Sequence, residues 1–170
     1  MAVHFLDSSA LQHRYLQGPD SVRVRRLVSN RRILCFIAEW SMVEMASAMA
    51  RRCRQGALTV KDFDSMSAAF IKDVADGRVQ VRNMNKRDMR RARDLIRYAG
   101  MIRRRNLGSG DAIIATCCLD LALERREKLI FYTSDWGLFD TLRTINAFTS
   151  ALTIQFLGVP RVAGVPTRTT

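Results

Sequence analysis

Residues 106 to 119 read NLGSGDAIIATCCL, a flexible polar run followed by one acid and an apolar segment. Apolar side chains would surround a helix here on nearly every side, which predicts a buried central helix rather than a surface helix. Asp111 begins a row spaced in steps of four, three and four, which a helix would place on one face: Asp111, Ala115, Cys118 and Ala122. A carboxylate at the start of a buried helix requires an explanation.

Short apolar segments on both sides of this helix predict the strands of a sheet. Residues 3–6, 33–37, 129–132 and 153–157 are strand candidates, and the alternating residues 79–82 predict an edge strand. Helical patterns separate them, so the crossovers favour an α/β fold, a three-layer α/β/α sandwich with a mainly parallel sheet of about five strands. We expect a single domain over residues 1–170, with a core over about 3–157 and a C-terminal tail over 158–170.

The charge of the chain favours a polyanionic partner. Lys and Arg number 28 against 16 Asp and Glu, which gives a formal net charge of +12. A helix is predicted over residues 85–105, with Met89, Ala92, Ile96 and Ala99 facing inward. It has nine basic residues against two acidic ones, which indicates contact with RNA or DNA, or with an acidic protein. Its last three arginines adjoin the loop before Asp111 and are candidate nucleic-acid contacts: Arg103, Arg104 and Arg105.

Composition also limits the compartment and the chemistry. No segment approaches about 18 consecutive apolar residues and no secretory leader is evident, so we expect a cytoplasmic protein with no membrane contact. The four cysteines show no CxxC spacing and are expected to be reduced and buried. His4 and His13 are too few for a zinc site, and we expect His4 in a strand and His13 on the surface.

Four acids are expected at the edge where parallel strands end. Asp7 and Asp135 directly follow strands, and Glu44 and Asp111 lie in first turns of helices that enter from that edge. Each acid alone is also accounted for as a helix cap, and Ser41-x-x-Glu44 has the spacing of a capping box. Together, four carboxylates would repel one another and raise their pKa values unless a cation compensated.

Carboxylates without His or Cys ligands suit a hard divalent ion, Mg²⁺ or Mn²⁺. An acidic metal pocket with a basic rim suits phosphodiester hydrolysis, because arginines bind the backbone and the metal activates the phosphoryl group and water. Asp7, Asp111 and Asp135 would position the ion, and Glu44 would help to hold it or orient the attacking water. The glycine spacing matches neither a dinucleotide fingerprint nor a P-loop.

Four motifs in this order resemble those of the PIN-domain nucleases, and in size the chain is similar to a VapC-type toxin of a toxin–antitoxin pair. The motifs are FLDSSAL at residues 5–11, Ser41-x-x-Glu44, GDAIIA at residues 110–115 and Thr133-Ser134-Asp135, and the resemblance covers residues 3–157. It implies an α/β/α sandwich, Mg²⁺- or Mn²⁺-dependent endoribonuclease activity, a homodimer, and inhibition by a cognate antitoxin whose tail reaches into the active site.

Matching positions imply roles for particular residues. The acidic quartet would be Asp7, Glu44, Asp111 and Asp135, with Thr133 and Ser9 as hydroxyl supports. Glu39 competes with Glu44, although only Glu44 has a Ser three residues before it. Asp140, one helical turn after the last motif, is either an outer acid of the site or a surface residue, and we favour the surface.

Two other functions compete with the nuclease hypothesis. A PIN-like scaffold that has lost turnover would bind RNA or a partner without cutting, although the presence of all four acids counts against it. A DNA-binding regulator would use the basic helix over residues 85–105, but it would leave the acids unexplained, and no helix-turn-helix pattern surrounds that helix.

Overall fold

Five parallel strands form one sheet in the computed structural model, which describes residues 1–158. Its order is β3-β2-β1-β4-β5, and every neighbouring pair is parallel, as the crossover pattern predicts. The short β3 is an edge strand, also as predicted. The strands are β1 (Ala2–Leu6), β2 (Ile33–Ala38), β3 (Gln80–Arg82), β4 (Leu129–Thr133) and β5 (Leu152–Phe156). Apart from Gly158, the predicted tail lies outside the described residues.

Helices cover both faces of the sheet, which confirms the three-layer α/β/α arrangement. One hydrophobic core joins the sheet to α1 to α4, and a second joins it to α5 to α8. The helices are α1 (Ser8–Tyr15), α2 (Ser21–Ser29), α3 (Trp40–Arg54), α4 (Val60–Ala75), α5 (Lys86–Met101), α6 (Ser109–Arg125), α7 (Trp136–Arg143) and α8 (Asn146–Ala151).

The predicted central helix is α6, and it is buried continuously from Ala112 to Ala122. Its inward row of small residues lets α5 and the sheet approach closely on either side. Cys118 lies in this row and Cys117 beside it, both with no exposed surface, and Cys35 is buried in β2. Cys53 is half-buried rather than buried, and all four thiols are free. Within the described part of the chain, every helix is too short or too polar to span a membrane.

Helix α5 differs from the prediction in length and in rotation. It ends at Met101, so Arg103, Arg104 and Arg105 follow the helix instead of belonging to it. Its buried positions are Asp88, Ala92, Leu95 and Ala99, whereas Met89 and Ile96, predicted to face inward, are 49% and 37% exposed.

An ion pair explains this rotation. The Asp88 carboxylate is fully buried and accepts hydrogen bonds from Arg82 Nη1 at 2.9 Å and from the Asn85 N–H at 2.8 Å. A buried carboxylate must keep these partners, so the helix turns Asp88 inward and Met89 outward. Apolar spacing alone did not reveal the pair. The short α8 was also missed, because a helix of six residues is too short to show a helical apolar period.

Asn85 begins α5 with a reciprocal capping box. Its side chain accepts from the backbone N–H groups of Arg87 and Asp88, and Asp88 accepts from the Asn85 N–H. Replacing Asn85 with Ala removes this cap, so we expect the free energy of unfolding to fall by about 1 kcal/mol, measured by urea denaturation. Asn85→Asp keeps an acceptor and should lose less. Equal losses in the two variants would contradict the capping role.

Candidate active site

Asp7 lies where β1 ends, and its carboxylate is almost fully buried. Thr133 Oγ1, at the end of the neighbouring β4, donates to Asp7 Oδ2 at 2.9 Å, and the Ser9 hydroxyl donates to the same oxygen. The Asp7 side chain caps no backbone N–H of α1, so the helix-cap explanation does not apply to it. Burial raises the pKa of Asp7, and the hydrogen bonds from Ser9 and Thr133 oppose that rise.

Asp135 follows β4 at the same edge of the sheet. Its Oδ1 accepts the Leu138 N–H at 2.8 Å, so this side chain does cap α7, and its own N–H donates to Thr133 Oγ1 at 2.9 Å. Thr133 therefore joins Asp7 to Asp135 through one hydroxyl. The Asp135 side chain remains exposed, and one carboxylate oxygen stays free of the cap.

Glu44 points to this edge from α3, but the capping box predicted for it is wrong. Helix α3 begins at Trp40, so Ser41 lies inside the helix, where its buried hydroxyl has no hydrogen-bond partner. Glu44 Oε1 instead accepts from Trp40 Nε1 at 3.0 Å. The role of Trp40 was not predicted from the sequence, although residues four apart on a helix, such as Trp40 and Glu44, lie close enough for this contact.

Gly110 brings α6 against Glu44. A Cβ atom at this position would overlap Glu44 Oε1 and lie 2.9 Å from Trp40 Nε1. Any other residue would displace the carboxylate or the helix, so the glycine of the GDAIIA motif serves the approach of Glu44 to the first turn of α6. The next residue in that turn is Asp111.

The charges of all three other acids raise the pKa of Asp111. Its pKa is raised from 3.8 to about 7, mainly by burial and then by the charges of Asp7, Asp135 and Glu44 in that order. Burial also raises the pKa of Glu44, with a further contribution from Asp7. Each of these contributions requires close approach, so the four carboxylates predicted from the sequence share one electrostatic environment.

Two observations bear on whether these residues could hold a hard divalent cation. Their donors are all carboxylate oxygens, and Glu44 Oε2 is buried without a hydrogen-bond partner among residues 1–158. As the side chains stand, no three acidic, His or Cys side chains in that range are close enough together to hold a metal ion. The donor set therefore fits the ion in kind, and binding it requires the carboxylates to move inward.

The two competing acids lie outside this cluster. Glu39 is exposed, and its Oε2 accepts the Met84 N–H at 3.1 Å, which joins the start of α3 to the segment after β3. Asp140 forms an ion pair with Arg105 at 2.7 Å. Neither charge contributes to the raised pKa of Asp111. The structure thus favours Glu44 over Glu39 and gives Asp140 a partner of its own.

The basic residues after α5 differ in their contacts. Arg103 donates to the Thr144 carbonyl at 2.9 Å, and Arg105 pairs with Asp140, whereas Arg104 forms no ion pair with any residue from 1 to 158. His13 is half-buried rather than a surface residue, and its Nε2 lies 3.0 Å from Ser134 Oγ, beside Asp135. The position of His13 was not predicted from the sequence, because its contact, Ser134, is far away in the chain, just after β4.

Three solved structures share this fold. VapBC2 from Rickettsia felis, bound to a DNA fragment from its promoter, has a TM-score of 0.59 at 13% identity, covering 89% of this chain and 98% of that chain. VapBC-5 from Mycobacterium tuberculosis, a member of the VapBC family, has a TM-score of 0.54 at 17% identity, and the match covers 92% of this chain and 100% of that chain. FitAB bound to a DNA fragment has a TM-score of 0.57 at 15% identity, and the match covers 89% of this chain and 94% of that chain.

The five-stranded parallel sheet between two layers of helices belongs to the PIN-like class of α/β/α folds, as the motifs predict. Within that class, it is similar to the solved VapBC and FitAB structures. No family model and no curated protein matches the sequence. At identities of 13 to 17%, the likeness establishes the fold, and activity must be argued from the site.

Gly110→Ala tests the approach of Glu44 to α6. The added methyl group would displace the Glu44 carboxylate, so we expect Mn²⁺ affinity to fall by about 10- to 100-fold, measured by calorimetry. Gly100→Ala is a matched control, because a Cβ there meets nothing within 4 Å and both positions are helical. Unchanged Mn²⁺ affinity in Gly110→Ala would contradict this placement of Glu44.

Asp111→Asn should stabilise the protein when no metal is present. The raised pKa means that the wild type loses stability as the pH rises from about 4 through about 7, where folded Asp111 ionises. The amide avoids that cost, so we expect a melting temperature at least about 2 °C higher at pH 8, and a smaller gain at pH 5. Asp64→Asn, at an exposed acid of α4, is the control. A lower melting temperature would mark Asp111 as an ordinary helix cap.

Proposed function

We propose that this protein is a metal-dependent endoribonuclease and the toxin of a toxin–antitoxin pair. The observation that carries the proposal is the placement of four acids from different elements at one edge of the sheet: Thr133 links Asp7 to Asp135, and Glu44 lies against Gly110 in the turn that holds Asp111. The raised pKa of Asp111 supports this placement. Four carboxylates close to one another repel each other when no cation lies among them, and a bound Mg²⁺ or Mn²⁺ would remove that cost.

Each side chain of the site would have a distinct role in catalysis. Asp7, Glu44, Asp111 and Asp135 would hold the ion, which when bound supplies Lewis-acid chemistry for phosphodiester hydrolysis. Ser9 and Thr133 fix the orientation of the Asp7 carboxylate through their hydrogen bonds to Oδ2. Glu44 has an unpartnered buried oxygen, Oε2, which is suited to bind the ion or to accept a proton from the attacking water.

RNA is the substrate that the charge of the protein favours. A basic surface gains affinity for a phosphate backbone by releasing its counterions. Arg104 is the strongest of the three candidate contacts near the site, since it forms no ion pair within residues 1–158 and is exposed. Arg103 and Arg105 would first have to leave Thr144 and Asp140.

The partner proteins are inferred from the similar structures. VapBC-5 is a member of a family of toxin–antitoxin systems, so we propose a cognate antitoxin for this chain as well. We also propose a homodimer, with an exposed apolar surface on and just after α5 as its contact: Met89, Ile96, Met101 and Ile102. Light scattering measures the oligomeric state, and a monomer at high concentration would contradict the dimer.

Cleavage of RNA in the presence of Mg²⁺ or Mn²⁺ tests the proposed function. We expect purified protein to cut single-stranded or structured RNA, and EDTA to stop the reaction. Asp140→Asn, which changes an acid outside the cluster, should cut at close to the wild-type rate. Cleavage that persists in EDTA would refute the metal mechanism. Binding of RNA without cleavage in any divalent ion would instead support an inactive PIN-like scaffold.

A further inference from the structure

Three aromatic rings form a cluster beside the acidic edge. The Trp136 ring centroid lies 5.3 Å from that of Phe139 and 5.1 Å from that of Phe156, and Phe139 lies 5.4 Å from Phe156. The Arg143 guanidinium stacks over the Phe139 ring at 5.1 Å from its centroid. We call these four residues the aromatic platform.

Two connections join the aromatic platform to the site. Trp136 directly follows Asp135, so its backbone belongs to the turn that holds this acid. Phe156 is the register partner of Thr133 across β4 and β5, and Thr133 donates to the Asp7 carboxylate. The aromatic platform is therefore fixed to the same strand ends as Asp7 and Asp135.

The rings are more accessible than packing alone would require. Leu138 and Leu142 fill the core beneath α7 and are almost fully buried, whereas all three aromatic residues keep part of their surface exposed. Trp136 Nε1 has no hydrogen-bond partner among residues 1–158, and it is not one of the buried unpaired atoms there. The indole N–H therefore keeps some exposure to solvent, on the residue that follows Asp135.

We propose that the aromatic platform stacks a base of single-stranded RNA next to the scissile phosphate. Every base has a π-face, so stacking on aromatic rings binds single strands with little sequence preference. The adjacent arginine provides a charge for a neighbouring phosphate and a planar surface for a second base. A base in a duplex is already stacked and paired, so single strands should benefit more than duplexes. This inference rests on RNA being the substrate.

The test measures binding of a 12-nucleotide single-stranded RNA in EDTA, where no metal-dependent cleavage takes place. We expect Trp136→Leu to weaken binding by about 5- to 100-fold, whereas Trp136→Phe, which keeps a ring, should stay within about threefold of the wild type. Leu123→Ala is the control, because Leu123 is 50% exposed and belongs to α6 at its far end from Asp111. Melting temperatures check that each variant is folded.

The outcomes separate this inference from the proposed function. Equal affinity of the wild type and Trp136→Leu for the single strand, alongside metal-dependent cleavage, would overturn the aromatic platform and leave the nuclease intact. Equal losses for single-stranded and duplex RNA would also overturn base stacking. A variant that keeps its RNA affinity but loses a protein partner would identify the rings as a protein contact instead. A wild type that neither binds nor cuts RNA would refute both proposals.

Discussion

Asp111→Asn is expected to lower the rate of RNA cleavage at least about 100-fold. The replacement removes the carboxylate to whose raised pKa Asp7, Asp135 and Glu44 all contribute. Residues that only support a metal ligand typically account for 10- to 100-fold in affinity or activity, so the loss of a ligand should reach or exceed the upper value. Single-turnover cleavage of a labelled RNA in saturating Mn²⁺ measures the effect.

The matched control is Asp140→Asn, which makes the same chemical change at an acid bound to Arg105. Because Asp111→Asn is expected to raise the metal-free melting temperature, lost activity cannot be ascribed to unfolding in that variant. A rate within about threefold of the wild type would show that Asp111 does not hold the catalytic ion.

Mn²⁺ binding is expected to weaken steeply below neutral pH. A carboxylate must be deprotonated to bind a metal, and the pKa of Asp111 is raised to about 7 by burial and by the neighbouring acids. Each pH unit below that value should cost up to about tenfold in affinity, so we expect binding at pH 5.5 to be at least about 30-fold weaker than at pH 8.

Calorimetry in buffers of different ionisation enthalpy measures both the affinity and the proton released at pH 6. Burial also raises the pKa values of Asp7 and Glu44, which should extend the dependence to lower pH. In Gly100→Ala the same steep dependence should persist, since that position is remote from the acids. Affinity that stays constant from pH 5.5 to pH 8 would show that no carboxylate of raised pKa binds the metal.

Much of the fold was predictable because parallel strands and central helices leave strong local signals. The continuous apolar segments that became β1, β2 and β4 are buried on both faces of the sheet, and the all-round apolar pattern of α6 follows from its central position. The acids were predictable for a related reason, since parallel strands end at one edge and direct Asp7 and Asp135 there.

What the sequence did not reveal depends on contacts between distant residues. The rotation of α5 follows from the buried pair of Asp88 with Arg82, which the apolar spacing of α5 does not encode. The use of Ser41 and Glu44 as a capping box was wrong, because α3 begins one residue earlier, at Trp40, and Glu44 contacts the indole. The sequence also did not reveal that Gly110 allows Glu44 to approach the first turn of α6.

The most direct test of the account is a crystal structure with bound Mn²⁺, located by its anomalous scattering. We predict one Mn²⁺ peak at the carboxyl edge of the sheet, coordinated by oxygens from at least three of the four acids: Asp7, Glu44, Asp111 and Asp135. The same experiment on Asp111→Asn should show a weaker peak or none. Saturating Mn²⁺ that leaves this edge empty in the wild type, or that binds only elsewhere, would contradict the proposed metal site.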